Sequence, residues 1–178
     1  MTDADDDTVS RRRSAAPRIA AVIPCFNEAL AIRQVVEGFR ASLPADAEIH
    51  VFDNNSTDDT AGVARAAGAI VTHVAAPGKG NVVRRMFADV EADIYVMVDG
   101  DATYETAAAP RLIQRLVDGN LDMVVGNRID DGQNALTYRA GHRLGNRMLT
   151  GAVVQLFGGG LTDMLSGYRV FSRRYAKS

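Results

Sequence analysis

The sequence predicts a single α/β domain on a mainly parallel, Rossmann-like sheet flanked by helices, and three observations predict it. From Arg18 onward, short apolar runs alternate with stretches of helical period, the pattern of successive βα units. Polar loops follow the apolar runs, as they do where an open parallel sheet binds a ligand at the carboxyl ends of its strands. The 178 residues contain no internal repeat and no dividing linker, so residues 18–178 read as one domain large enough to bury a core.

Residues 19–23 are the first expected strand, ended by Pro24 and the loop PCFNE. A helix over 29–40 follows, with Ile32, Val35, Val36 and Phe39 on one face and Pro44 as its breaker. Residues 48–52 form the second strand and run into DNNSTDDT, where Ser56 and Asp59 have capping-box spacing and predict a helix over 57–67 stopped by Gly68. The third strand, 69–74, leads through APGKGN to a helix over 81–90. The fourth, 94–98, is short and rich in Ile, Val and Tyr, and ends in MVDGDATYE. Pro110 suits the first turn of a helix reaching Asp118, with Gly119 and Asn120 terminating it. A strand over 121–125, a long helical stretch over 135–157 and a strand over 168–171 complete the pattern.

Composition narrows the function. At 47% hydrophobic and 24% charged, with a formal net charge of -2, the chain lacks the global positive field of a nucleic-acid binder. Its single cysteine, Cys25, excludes an internal disulfide framework, and no His partner lies within reach of its loop to make it a nucleophile. No apolar run approaches the roughly 18–20 residues of a membrane span. Residues 1–17 have an acidic block before Arg11, Arg12 and Arg13 and no apolar core; they read as a disordered tail, the arginine triplet offering peripheral contact with anionic lipid.

The chemistry gathers at the expected strand ends. Asp99 and Asp101 leave the fourth strand one residue apart, and hard carboxylate oxygens in an exit loop suit Mg2+ or Mn2+. Asp53 is an acceptor for a base N–H or a ribose hydroxyl, and the Asn54 amide both donates and accepts. The PGKGN loop offers glycine amides, Lys79 and a helix start, a phosphate-attracting set that is not a Walker A loop. Arg128 leaves a strand end, while Arg139, Arg143 and Arg147 recur every four residues as a basic stripe on the expected long helix. His50, His73 and His142 show no metal-ligand spacing.

Together, IPCFNE, VFDNNSTDDT, PGKGNVVRRMF, MVDGDATYE, DMVVGNR and TDMLSGYRVF resemble, in order and spacing, the family 2 glycosyltransferases. Within that family they are most similar to the polyprenyl-phosphate sugar transferases of the dolichol-phosphate mannose synthase type. The resemblance implies a glycosyltransferase-A fold, a nucleotide-sugar donor, inversion at the anomeric carbon and a polyprenyl phosphate acceptor. It implies that Pro24, Phe26, Glu28, Asp53 and Asn54 hold the nucleoside, with Lys79 and Asp99 serving the donor and Asp99 and Asp101 the Mg2+ or Mn2+. It implies that Arg128 and Arg143 grip the acceptor phosphate, near Ser166, Gly167 and Arg169. The catalytic candidates are Asp101, Arg128 and Asp163, the last as the base should the acceptor be a sugar or glycerate hydroxyl instead. A nucleotide-sugar-binding module without transfer activity is the alternative from another class. Two positions depart from the family pattern, Asn54 where a second acid is common and Thr103 where glutamine is frequent. Relatives of this type continue beyond the position of Ser178, so a piece of a longer chain, cytoplasmic at the inner membrane face, is the expectation.

Overall fold

The computed structural model describes residues 16–126 and 166–178. Among them, six strands form one sheet in the order β3-β2-β1-β4-β6-β5: β1 (Ile19–Cys25), β2 (Glu48–Asp53), β3 (Ile70–His73), β4 (Ile94–Met97), β5 (Met123–Val125) and β6 (Arg169–Ser172). The β3-β2-β1-β4 run is parallel, and β6 lies antiparallel between β4 and β5. The chain moves outward from β1 to β3 and then returns to the other side of β1 as β4. That reversal opens a crevice at the carboxyl ends of β1 and β4, the switch point where such sheets bind ligands. Because β6 runs antiparallel, its first residue, Arg169, lies at that same edge, opposite Met97 and Val125.

Strand alternation sends successive side chains to opposite faces, and each face has its own core. Ala21, Ile23, Ile49, Val51, Val96 and Val170 pack under α1 (Ile32–Ser42), α2 (Thr60–Ala66) and α4 (Ala109–Asp118). Ala20, Val22, Phe52, Tyr95, Met97 and Phe171 pack under α3 (Lys79–Asp89) and the short α5 (Arg173–Ala176). Helix α1 shows the predicted stripe: Ile32, Val35, Val36 and Phe39 are all buried, each such side chain contributing roughly 1.5–3 kcal/mol of transfer free energy. The Tyr95 hydroxyl, buried with its ring, donates to the Val90 carbonyl at 2.8 Å and accepts the Ala92 N–H at 3.1 Å, so its burial leaves no polar group unpaired.

Several element boundaries differ from the sequence expectation by one to three residues, β5 for example spanning Met123–Val125 instead of 121–125, and three helix starts differ for a local reason. Helix α1 starts at Ile32 instead of 29 because Glu28 to Ala31 form a turn in which the Glu28 carbonyl accepts the N–H groups of Ala31 and Ile32. Helix α2 starts at Thr60 instead of 57: the Ser56 hydroxyl expected to cap it accepts the Asn27 N–H of a different loop, and Asp58 takes the Thr60 N–H instead. Helix α3 starts at Lys79, two residues early, because Gly78 at φ 106° supplies a turn that residues with a Cβ rarely adopt. The expected helix over 135–157 and the tail over 1–15 lie outside the described residues.

Candidate active site

The loop after β2 is tied on both sides. Toward the first loop, the Asn27 N–H donates to Ser56 Oγ, the Glu28 N–H to Thr60 Oγ1, the Ala29 N–H to Asp58 Oδ2 and the Thr57 N–H to Asn27 Oδ1, at 2.7–3.1 Å. Asn27, at φ 58°, is of the residue type that best tolerates the left-handed turn this exchange needs. Toward the loop after β3, Asn54 Nδ2 donates to the carbonyls of Val74 and Ala76 at 2.8 and 2.9 Å, while its Oδ1 accepts the Gly78 N–H at 2.8 Å. Asn55 Nδ2 adds a bond to the Ala75 carbonyl at 3.2 Å. The polar richness of DNNSTDDT is therefore largely the joinery of three neighbouring loops.

Asp53 is the exception. It is 7% exposed, its Oδ2 lies 3.4 Å from His73 Nδ1, and its Oδ1 is buried without a hydrogen-bond partner among the described residues. A buried carboxylate oxygen left unpaired costs stability unless a ligand donor meets it.

Beside these loops a cleft of about 250 Å³ is lined by Pro24, Phe26, Glu28, Asn54, Lys79, Val82, Asp99 and Asp101. Lys79 Nζ pairs with Asp99 Oδ1. Asp101 bends its own loop by accepting the Thr103 N–H on Oδ1 at 3.0 Å, with Ala102 between them at φ 57°, a left-handed conformation that costs an alanine roughly 1 kcal/mol. The Glu28 carboxyl is raised from its ordinary value, first by burial and then by the negative charges of Asp101, Asp58 and Asp99. Three acids thus crowd one cleft with a single lysine bonded among them. Their donor chemistry, hard oxygen, suits a divalent cation; among the described residues no three His, Cys, Asp or Glu side chains complete a ligand set, so further ligands would come from substrate or water. A larger groove of about 860 Å³ along α4, lined by Arg111 and Arg115, holds none of these acids.

Cys25, 3% exposed, belongs to the lining of this cleft and acts as a spacer. A Cβ on Gly100 would sit 2.6 Å from its sulfur, so the Asp99–Asp101 turn rests on the thiol through a glycine. Burial, and then the charges of Glu28, Asp53, Asp99 and Asp101, push the Cys25 thiol far above its usual range. It is accordingly inert: native protein at pH 8 is expected to resist iodoacetamide over hours and to take up one equivalent only when unfolded, as read by intact-mass spectrometry.

In the turn before β6, Ser166 is buried, its Oγ donating to the Gly126 carbonyl and accepting the Tyr168 N–H at 3.2 Å. Arg169 Nε donates to the Ser166 carbonyl at 3.1 Å. Ser166 therefore shapes the turn that carries Arg169 instead of presenting a free hydroxyl. Of the residues singled out in the sequence, Pro24, Phe26, Glu28, Asn54, Lys79, Asp99 and Asp101 meet in one cleft, with Asp53 next to it. Arg128, Arg143 and Asp163 lie outside the described residues. Tyr104 and Gly167 were not foreseen as a pair: the Gly167 N–H donates to the Tyr104 hydroxyl at 2.6 Å across 63 residues of chain. Their only sequence signal was position, Tyr104 inside MVDGDATYE and Gly167 inside TDMLSGYRVF.

Comparison with known proteins gives the family and the fold. Residues 20–178 match Glycosyl transferase family 2. Protein RfbJ of Shigella flexneri is 58% identical over 125 residues, covering 70% of this chain and 95% of RfbJ. Glycosyltransferase AglJ of Haloferax volcanii is 36% identical over 156 residues, covering 87% of this chain and 50% of AglJ, so the chain spans about half the length of that relative. Among solved structures, glucosyl-3-phosphoglycerate synthase of Mycobacterium tuberculosis superimposes with a TM-score of 0.73 at 27% identity, over 95% of this chain and 61% of the synthase. The same synthase in complex with Mn2+, UDP-glucose and phosphoglyceric acid gives 0.73 at 29% identity, over 92% of this chain and 59% of the synthase. The chain belongs to glycosyl transferase family 2 and has the glycosyltransferase-A fold.

Proposed function

We propose that this chain carries the donor site of an inverting glycosyltransferase that moves a sugar from a nucleoside-diphosphate sugar to a polyprenyl phosphate. The observation that carries the donor half is the convergence at one switch-point cleft of Lys79, Asp99 and Asp101, with Asp53 alongside and its buried oxygen unpartnered among the described residues. Asp53 accepts a base N–H, a donor that an uncharged carbonyl would hold less strongly. Lys79 sits at the start of α3, where its charge and the helix amino terminus both favour the leaving diphosphate. Asp99 and Asp101 would hold Mg2+ or Mn2+, which would supply further positive charge for that leaving group.

In the reaction, the bond from the anomeric carbon to the diphosphate oxygen breaks and its electron pair leaves with the diphosphate. The acceptor oxygen attacks from the opposite face, which inverts the centre. A phosphate oxygen is already anionic at neutral pH, so no side chain has to remove a proton, and positioning supplies the acceptor half of catalysis. Arg169, at the cleft edge of β6, and Arg128 and Arg143 are the cations for that task. Contact with anionic lipid would be peripheral, through Arg11 to Arg13; among the described residues no helix is long and apolar enough to cross a membrane.

A second reading is favoured by the synthase solved with phosphoglyceric acid. There the acceptor would also bring an anionic group, but its hydroxyl would need a base, for which Asp163 is the candidate. Turnover of UDP-glucose, GDP-mannose and UDP-N-acetylglucosamine with Mn2+, each with undecaprenyl phosphate or 3-phosphoglycerate, decides between them. Product with the lipid phosphate, and retention of turnover in Asp163→Asn, is the expected result. Product with 3-phosphoglycerate alone, lost in Asp163→Asn, overturns the polyprenyl reading, and donor binding without either product leaves a binding module.

A further inference from the structure

We infer that Tyr104 and Gly167 are positioning residues for Asp99, making the Ser166–Arg169 turn a wall of the donor site as well as a part of the acceptor side. The inference rests on the donor-site reading above and adds the means by which Asp99 is held.

Asp99 leaves β4 on a loop whose other acid, Asp101, is exposed, and on its own such a carboxylate has free rotamers. Two contacts remove that freedom. Lys79 Nζ takes Oδ1 from one side. From the other, Gly167 closes so tightly that a Cβ there would lie 2.1 Å from Asp99 Oδ2 and 2.6 Å from Cγ, far inside van der Waals contact. Gly167 has no positive φ that would demand glycine; what demands it is the carboxylate.

The turn itself is fixed in place. The Gly167 N–H donates to the Tyr104 hydroxyl at 2.6 Å, and the Tyr104 and Tyr168 rings meet edge to face with centroids 5.7 Å apart. On the opposite side, the Gly126 N–H donates to the Tyr168 carbonyl at 2.9 Å and Ser166 Oγ returns to the Gly126 carbonyl. Tyr104, three residues beyond Asp101 and 6% exposed, thus ties the loop that carries both acids to a segment more than 60 residues away in the chain. Tyr104→Phe keeps the ring and removes the acceptor, leaving a buried amide unpaired and the turn free to withdraw from Asp99.

The test uses the 178-residue chain and reads binding, not turnover: Mn2+ affinity in the presence of saturating UDP or GDP, from the free-Mn2+ electron paramagnetic resonance signal, with melting curves as a control of folding. Gly167→Ala and Tyr104→Phe are each expected to weaken Mn2+ by roughly 10- to 100-fold, the range for losing an outer support of a metal ligand. Tyr168→Phe, whose hydroxyl reaches, among the described residues, the Thr106 carbonyl at 3.5 Å, should leave it unchanged. In an Asp99→Ala background the Tyr104→Phe and Gly167→Ala losses should vanish, because both act through that carboxylate. Wild-type affinity in folded Tyr104→Phe, or a loss that persists without Asp99, overturns the inference while leaving the donor-site reading intact. Wild-type affinity in Asp99→Ala itself overturns the donor-site reading. Should Gly167→Ala fail to fold, the Mn2+ affinity of Tyr104→Phe is decisive alone.

Discussion

Replacing Asp101 by alanine is expected to abolish the Mn2+-promoted part of donor binding and to lower turnover by roughly 100- to 1,000-fold, the usual loss when one preorganised electrostatic contact to a transition state is removed. Asp101 has two roles that this substitution removes together. Its charge belongs to the acidic cleft, and its Oδ1 accepts the Thr103 N–H to close the turn in which Ala102 holds its left-handed conformation. Asp101→Asn separates the two, because an amide oxygen still accepts that N–H but carries no charge. Calorimetric titration of UDP-glucose and GDP-mannose, with and without Mn2+, should show both variants losing the metal-promoted component. Only Asp101→Ala should also lower the melting temperature. Unchanged metal dependence in both would remove Asp101 from the site.

Asp53→Asn is expected to move stability and function in opposite directions. Among the described residues the buried Asp53 carboxylate has one oxygen unpaired, a condition that costs about 1–3 kcal/mol. Asn leaves a polar atom at that position but removes the buried charge, and relief of the charge's desolvation should raise the melting temperature of the free chain by roughly 2–4 °C per kcal/mol recovered, as for domains of this size. The same change removes the charge-assisted acceptor for a base N–H, so donor affinity should fall by about 10- to 100-fold, one to two steps of 1.4 kcal/mol. Differential scanning calorimetry and donor titration on one preparation test both signs. A destabilised Asp53→Asn with normal donor binding would make Asp53 a structural acid paired with His73.

Much of the fold could be read from residue order because it rests on local chemistry. The 3.6-residue stripe of α1 and the short unbroken apolar runs of β1 and β4 are properties of contiguous residues, and the helix stripe and most of both strands are buried as expected. Boundaries failed where a side chain served a distant partner. Ser56 has the spacing of a cap, and no local rule says that Asn27, 29 residues earlier, takes its hydroxyl. Asn54 shows the same limit. Read alone, its amide suits a nucleoside; folded, its two donors and its acceptor are spent on Val74, Ala76 and Gly78, which sets the loop before Lys79.

From order and composition alone came the α/β class, the acids at the end of β4, the polar loops around them and the family likeness, all of which depend on residue type and near-neighbour spacing. Tertiary structure decided which polar residues stay uncommitted. Hydrogen-bond capacity is finite, and only packing shows that the residues after β2 spend theirs on neighbouring loops while Asp53 has, among the described residues, one oxygen unpaired. It also decided that Gly167 is set against Asp99, since contact across 68 positions follows from strand order and the antiparallel insertion of β6, not from any interval in the sequence.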